Sequence, residues 1–141
     1  MAKQNSDSIN MTIGIPVYNG EKFLAEKISS IINQDFSDFE FIISDNGSTD
    51  HTKQICTKFA SNDKRIRFFS HTKNMGPNWN FHFILKKARG EHFMWTAVDD
   101  KILPGFIKKN ISVLKTRNDV ICSISQVEPY GEKTEYLTGK K

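Results

Sequence analysis

Apolar positions along the chain switch repeatedly between a short, continuous period and a helical one. Residues 11–18, Met-Thr-Ile-Gly-Ile-Pro-Val-Tyr, form a β-branched run closed by Pro16 and Asn19-Gly20, which predicts a buried strand and a turn. From Glu21 to Gln34, Phe23, Leu24, Ala25, Ile28, Ile31 and Ile32 recur at helical spacing, with Glu21, Lys22, Glu26 and Lys27 expected mostly on the other side. Residues 39–44 read as a second strand. The loop 45–50 follows, Asp-Asn-Gly-Ser-Thr-Asp, in which Ser48 or Thr49 is suited to cap a helix bearing Ile55, Cys56 and Phe59. A short strand over 66–70 and the loop Asn74-Met75-Gly76-Pro77 precede a helix from about 78 to 89 ended by Gly90. Trp79, Phe83 and residues 85–88 are expected to supply its buried side. Residues 92–98 predict a fourth strand, Pro104 opens a helical stretch through Lys115, and residues 120–127 predict a fifth strand.

Strict alternation of strand and helix implies an α/β fold, a mostly parallel open sheet with helices on both faces and right-handed crossovers. A length of 141 residues suits one domain, expected over 11–128 between polar tails at 1–10 and 129–141. Hydrophobic residues at 38% and charged residues at 26% exclude a disordered or collagen-like chain. Eleven phenylalanines point to an aromatic core. Cys56 and Cys122 lack metal-ligand spacing and are expected to be reduced and buried. Residues 1–8 contain no apolar stretch of the signal-peptide kind and nothing approaches a membrane span, so a cytoplasmic location is expected. The Asn-x-Ser/Thr triplets at Asn10, Asn46 and Asn110 matter only in a secreted protein.

Twenty basic and 16 acidic residues leave a net charge of +4, which favours anionic partners without choosing among them. A nucleic-acid partner is not expected, because most aromatics fall at predicted core positions and do not interleave with a basic stripe. In open α/β sheets ligands gather outside the carboxyl ends of the strands. There the sequence places Pro16, Val17 and Tyr18, then Asp45 and Asn46, then Lys73 and Asn74, and lastly Asp99 and Asp100. Neither G-x-G-x-x-G nor a Walker A loop is present. A diphosphate in this crevice would therefore need a Mg²⁺ or Mn²⁺ held by one or two carboxylates. Asp99 and Asp100 are suitably placed, although an acidic pair at a strand end is as often a cap. Asp45 as a base or ribose acceptor and Tyr18 as a stacking platform have equally plain alternatives, a turn signature and a rim residue. Their convergence on one sheet edge favours a shared site.

Three segments, Ile13-Gly-Ile-Pro-Val-Tyr-Asn19, residues 39–50 and residues 90–100, taken in this order and spacing, resemble the family 2 glycosyltransferases of GT-A (Rossmann-like) fold. The resemblance runs from about Met11 to Asp119. It implies a metal-assisted, inverting transfer of sugar from a nucleotide-diphosphate donor in polysaccharide or glycoconjugate synthesis. Pro16, Val17, Tyr18 and Asp45 would hold base and ribose. The strand-four acids correspond to the DXD-type motif, Asp100 as principal metal ligand and Asp99 contacting the ribose or supporting the metal. Ala97 stands where many members carry an acid, and Phe81-His82 where many have Arg-Asn, which would leave diphosphate contacts to Lys73 or Lys101. Family domains continue into a half that binds the acceptor, whether glycan, lipid-linked or protein, at times with peripheral membrane association. That half also supplies the catalytic base. The chain accordingly reads as truncated at its C-terminus, with the base outside it; Asp119, Glu128, Glu132 and Glu135 lie in no recognisable motif. The alternative implied is a nucleotide-sugar binding remnant without transfer activity.

Overall fold

The computed structural model describes residues 9–125. The two polar tails, with Val127, Glu128, Glu132 and Glu135, fall wholly or largely outside them. Two compact units divide the chain, residues 1–107 and 108–141. Eight elements follow in order: β1 (Met11–Val17), α1 (Glu21–Ile32), β2 (Phe39–Asp45), α2 (Thr52–Asn62), β3 (Ile66–Ser70), α3 (Pro77–Lys87), β4 (His92–Trp95) and α4 (Phe106–Thr116). The strands form one parallel sheet in the order β3-β2-β1-β4. The expected alternation and parallel pairing are present through α4. The expected fifth strand is absent over the described part of its range, residues 120–125, which are irregular, with Ile121 and Ile124 exposed. Within residues 108–125, Asn110 is bonded to Ser123 and Ser125 and Arg117 is paired with Asp119.

β1 and β2 are buried on both faces, as an inner parallel pair must be. Ile13, Ile15, Phe41 and Ile43 interlock with Leu24, Ile28 and Ile31 of α1 and Cys56 of α2 in a core of fully buried side chains. α1 packs on α2, whereas α3 lies against β1 and β2. Right-handed crossovers put α1 and α2 on one face, and α3, which returns across the sheet from β3 to β4, on the other.

Several core assignments differ from the sequence pattern. On α3 the buried positions are Asn80 and Ile84, while Trp79 and Leu85 are exposed. The helix therefore meets the sheet along a narrow stripe, and Trp79 and Phe83 instead stack on each other beside His71 and Phe69. Among the described aromatics only Phe39 and Phe41 are buried. Cys56 is buried, its thiol pushed up to about 12 chiefly by desolvation, but Cys122 is exposed. Lys27, expected on the polar side of α1, is buried among Leu24, Ile28 and Ile31.

The amino end of the sheet is tied by one buried carboxylate. Glu40 accepts the Thr12 hydroxyl at 2.7 Å, the Arg89 amide at 2.6 Å and the guanidinium groups of Arg67 and Arg89 at 2.7 and 2.9 Å. Burial pushes its carboxyl up, but these donors outweigh burial and hold it below the usual range. Arg67 also donates to the Lys87 carbonyl, so the end of α3 is anchored to β1, β2 and β3 at once. Glu40→Gln should cost on the order of 3 kcal/mol at neutral pH, because it leaves two guanidinium groups without their counter-charge. With the folded pKa below the unfolded one, wild-type stability from this group is present above about 4.5 and lost as pH falls through the folded value. Urea melts of wild type and variant should therefore converge on acidification.

Candidate functional site

The chain runs β1, β2, β3 outward in one direction and then crosses back to place β4 on the far side of β1. Such a reversal leaves a crevice between the two strands at their carboxyl ends. The pairing shows how it opens. β4 matches β1 only from Met11–His92 to Gly14–Trp95, and the last ladder bond is the Thr96 amide on the Gly14 carbonyl at 3.0 Å. Two residues further on, the same edge of β1 carries Pro16, which has no N–H to offer a partner. Beyond that point the strands part, around a cleft of about 500 Å³.

Pro16, Val17 and Tyr18 line this cleft on the β1 side, and Thr96, Ala97, Val98 and Asp100 on the β4 side. Val17 is buried, whereas Tyr18 is half exposed at the rim. Phe81 and Trp95 form an aromatic wall, their rings edge to face with centroids 4.8 Å apart. Trp95 belongs to the expected fourth strand, and it lines the cleft from that edge strand.

Asp45 and Asn46 separate. Asp45 is 1% exposed, shares its sheet face with Phe41 and Ile43, and accepts the Ser48 amide at 2.9 Å. It does not line the cleft. Asn46 does, and its amide is held in place: Nδ2 donates to Asn74 Oδ1 at 2.9 Å and the Gly76 carbonyl at 3.1 Å, while Oδ1 accepts the Met75 amide at 3.0 Å. Gly47 allows this approach, with φ of 75° and so close to the 73–74 backbone that a Cβ would lie 2.6 Å from Lys73 C. Asn80 is a second site residue unmarked by the sequence. It is buried at 2% exposure and clamps Ser44, donating to its carbonyl at 2.9 Å and accepting its hydroxyl at 2.5 Å. Ser44 Oγ can then only accept from His71, which puts that ring's proton on Nε2.

The loop joining β2 to α2 caps two helices. Asp50 and Thr52 accept the amides of Glu21 and Gly20 at the start of α1, and Ser48 accepts that of Asn19. In return Glu21 accepts the His51 amide and Asn19 the Thr49 amide. At the start of α2 the N-cap position is His51, without a side-chain cap bond, and Asp50 just ahead of it accepts the Thr52 amide at 3.0 Å; Ser48 and Thr49 serve the turn after β1 instead.

Asp99 and Asp100 close a turn after β4. Asp100 Oδ2 accepts the Ala97 amide at 3.1 Å, and the Asp100 carbonyl accepts Lys27 Nζ at 3.0 Å. Asp99 is exposed in the same turn and is not among the cleft-lining residues. Desolvation pushes the Lys27 amine down to about 8 against the pull of Asp100 and Asp99. Lys73 and Lys101 are exposed, Lys101 lying 3.6 Å from Glu26, and neither lines the cleft.

With this geometry, the profile of glycosyl transferase family 2 matches residues 12–140. The chain belongs to glycosyl transferase family 2. This family 2 chain is 36% identical over 131 residues to the GalNAc(5)-diNAcBac-PP-undecaprenol beta-1,3-glucosyltransferase of Campylobacter jejuni, covering 92% of this chain and 42% of that protein. It is 33% identical to an uncharacterized glycosyltransferase of Rickettsia felis, covering 97% of this chain and 22% of that protein. The chain thus spans less than half the length of these relatives. S. aureus TarS 1-349, solved in complex with UDP-GlcNAc, matches with a TM-score of 0.71 at 29% identity, over 76% of this chain and 31% of that one. The mannosyltransferase PcManGT of Pyrobaculum calidifontis, solved with GDP-Man and Mn²⁺, shares the fold at TM-score 0.61 and 24% identity, over 68% of this chain and 29% of that one.

Asn46→Ala should free the β3–α3 loop without disturbing the sheet. Amide exchange at Met75 is expected to accelerate at least tenfold, with β1 and β2 amides unchanged; equal exchange in both proteins would show that the loop holds itself.

Proposed function

We propose that this family 2 domain binds a nucleotide-diphosphate sugar in the cleft, nucleoside against Pro16, Val17 and Tyr18 and diphosphate toward Asp100 and Asp99, as the donor half of a glycosyl transfer. The observation that carries the reading is the opening of the sheet between β1 and β4, which brings a carboxylate, Asp100, and an aromatic wall, Phe81 and Trp95, onto one cleft. TarS, at 29% identity, was solved with UDP-GlcNAc, which supports a nucleotide sugar as the ligand class. Asn46 takes the wall position beside the nucleoside, and Asp45 acts through the Ser48 turn behind it.

Among the described residues no group of three or more His, Cys, Asp or Glu side chains could cage a metal. Two adjacent carboxylates do suit Mg²⁺ or Mn²⁺, hard ions that take one or two protein carboxylates and complete their shell with water and phosphate oxygens. Asp100 would be the principal ligand and Asp99 its support. When bound, such an ion supplies the charge that lets a nucleoside diphosphate leave. The chain's own part is to hold Asp100 at the cleft through the Ala97 amide and to keep the base end walled. Among the described residues Asp100 is the only carboxylate lining the cleft, which supports the reading that the base for an inverting transfer lies elsewhere. Asp119 is a poor candidate, since Arg117 binds it at 2.6 Å and lowers its carboxyl.

Calorimetric titration of the chain with UDP, GDP and dTDP sugars, with and without Mn²⁺, tests the proposal. Metal-strengthened binding of at least one is expected; a folded chain that binds none would end it. Asp100→Ala should remove the metal-dependent part of the affinity while changing stability by no more than about 1 kcal/mol, as for an exposed loop residue.

A further inference from the structure

Lys27 is 2% exposed on the apolar face of α1, beside Leu24, Ile28 and Ile31. An ammonium there is expensive to desolvate, and an apolar side chain of similar volume would ordinarily serve stability better. Its recorded hydrogen bond runs to the carbonyl of Asp100 at 3.0 Å. It does not line the cleft, so it reaches the acid pair from the α1 side.

The segment it holds follows the end of the sheet ladder. β4 ends at Trp95 and the Thr96 amide makes the last ladder bond to β1. Beyond it, residues 97–103 are irregular, and α1 with its two flanks meets them at three points. Val98 lies so close to Gly20 that a side chain on that glycine would meet it at 3.3 Å. At the other end, Gln34 donates to the Leu103 carbonyl at 3.1 Å. Lys27 grips the middle, at the residue whose carboxylate closes the turn on the Ala97 amide. The three contacts fall at the residue before α1, in its middle and two residues past its end, so the helix and its flanks act as a rail along which the acid-bearing loop is laid.

We infer that Lys27 is a positioning residue for Asp100: its buried ammonium fixes the Asp100 carbonyl from behind and so sets the carboxylate toward the cleft. This rests on the donor-binding reading above. Two effects of the lysine have opposite signs. A positive charge near the acid pair opposes a divalent cation, so removing it would tighten cation binding if charge were all that mattered. Positioning predicts the reverse, because a carboxylate misplaced by about an ångström loses its ligand geometry.

The test is Lys27→Met, which keeps the length and removes both donor and charge, with Lys27→Gln as a second, uncharged variant that retains a donor. UDP, GDP and dTDP affinities are measured by calorimetry on the full chain in EDTA and in Mn²⁺, and bound Mn²⁺ is counted by its electron paramagnetic resonance signal. For the nucleotide that wild type binds, the metal-free affinity of Lys27→Met should stay within twofold, while the gain conferred by Mn²⁺ falls at least tenfold. Lys27→Gln should fall in the same direction, and decides the matter alone if the Met variant does not fold. An unchanged or larger Mn²⁺ gain in a folded variant overturns the inference and leaves Lys27 a matter of charge or packing. Absence of any Mn²⁺ gain in wild type overturns the donor-binding reading itself, and the inference with it.

Discussion

β1 is paired over seven residues with β2 and over only four with β4, and this inequality shapes everything at the carboxyl edge. A central parallel strand normally spends its amides and carbonyls on both neighbours. Here the ladder to β4 stops at Gly14, Pro16 removes a donor just past the stop, and the two chains diverge into loops. The cleft is the space that the missing pairing leaves. Because the strands below are locked by a register that burial on both faces enforces, the mouth is open but its two lips cannot slide.

Opposite ends of the sheet are stabilised by different means. At the amino end one buried charge, Glu40, collects two guanidinium groups and two further donors, tying α3 to three strands. At the carboxyl end the two helix starts exchange caps, so that the turn after β1, which carries Tyr18 to the rim, and the loop after β2, which carries Asn46, are one hydrogen-bonded body. Asn19, at φ 51°, sits at the bend that makes the exchange possible; asparagine tolerates that conformation better than a β-branched residue would. The turn after β1 and the loop after β2 are thereby fixed to each other, whereas the loop after β4 is met from behind by Lys27 of α1.

Most of the fold was legible from periodicity, because β1, β2 and α1 are long enough for burial on one or both faces to write a clear pattern. What was misread has a common cause. Asn80, Asn46 and Lys27 are polar side chains in buried places, satisfied by partners 30 or more residues away or, for Asn46, across a loop, and no local pattern records such a partner. Lys27 in particular looked like the solvated side of an amphipathic helix. The same limit explains Asp45 and Asn46: the sequence identifies the turn, but which neighbour faces the cleft depends on the strand continuing through Asp45, one residue beyond its expected end. The predicted fifth strand failed for the converse reason. Residues 120–125 have the composition of a strand, yet β propensity counts only with burial, and Ile121 and Ile124 stand exposed.

The buried polar groups are not scattered. Asn46, Asn80 and Asp45 cluster beneath the carboxyl end of β2, Lys27 beneath the loop after β4, and only Thr12 and Glu40 occupy the amino end. Each costs desolvation that an apolar residue would not, so a domain shaped for stability alone would not concentrate them under one opening. Hydrogen bonds fix direction where apolar contacts fix only distance, and a cleft whose wall residues must present amides and a carboxylate at set angles needs directional supports behind them. On this argument the stability given up beneath the cleft is the structural counterpart of the site above it: the supporting groups hold Asn46 and Asp100 in orientation before any ligand arrives, so that binding does not have to supply that order itself.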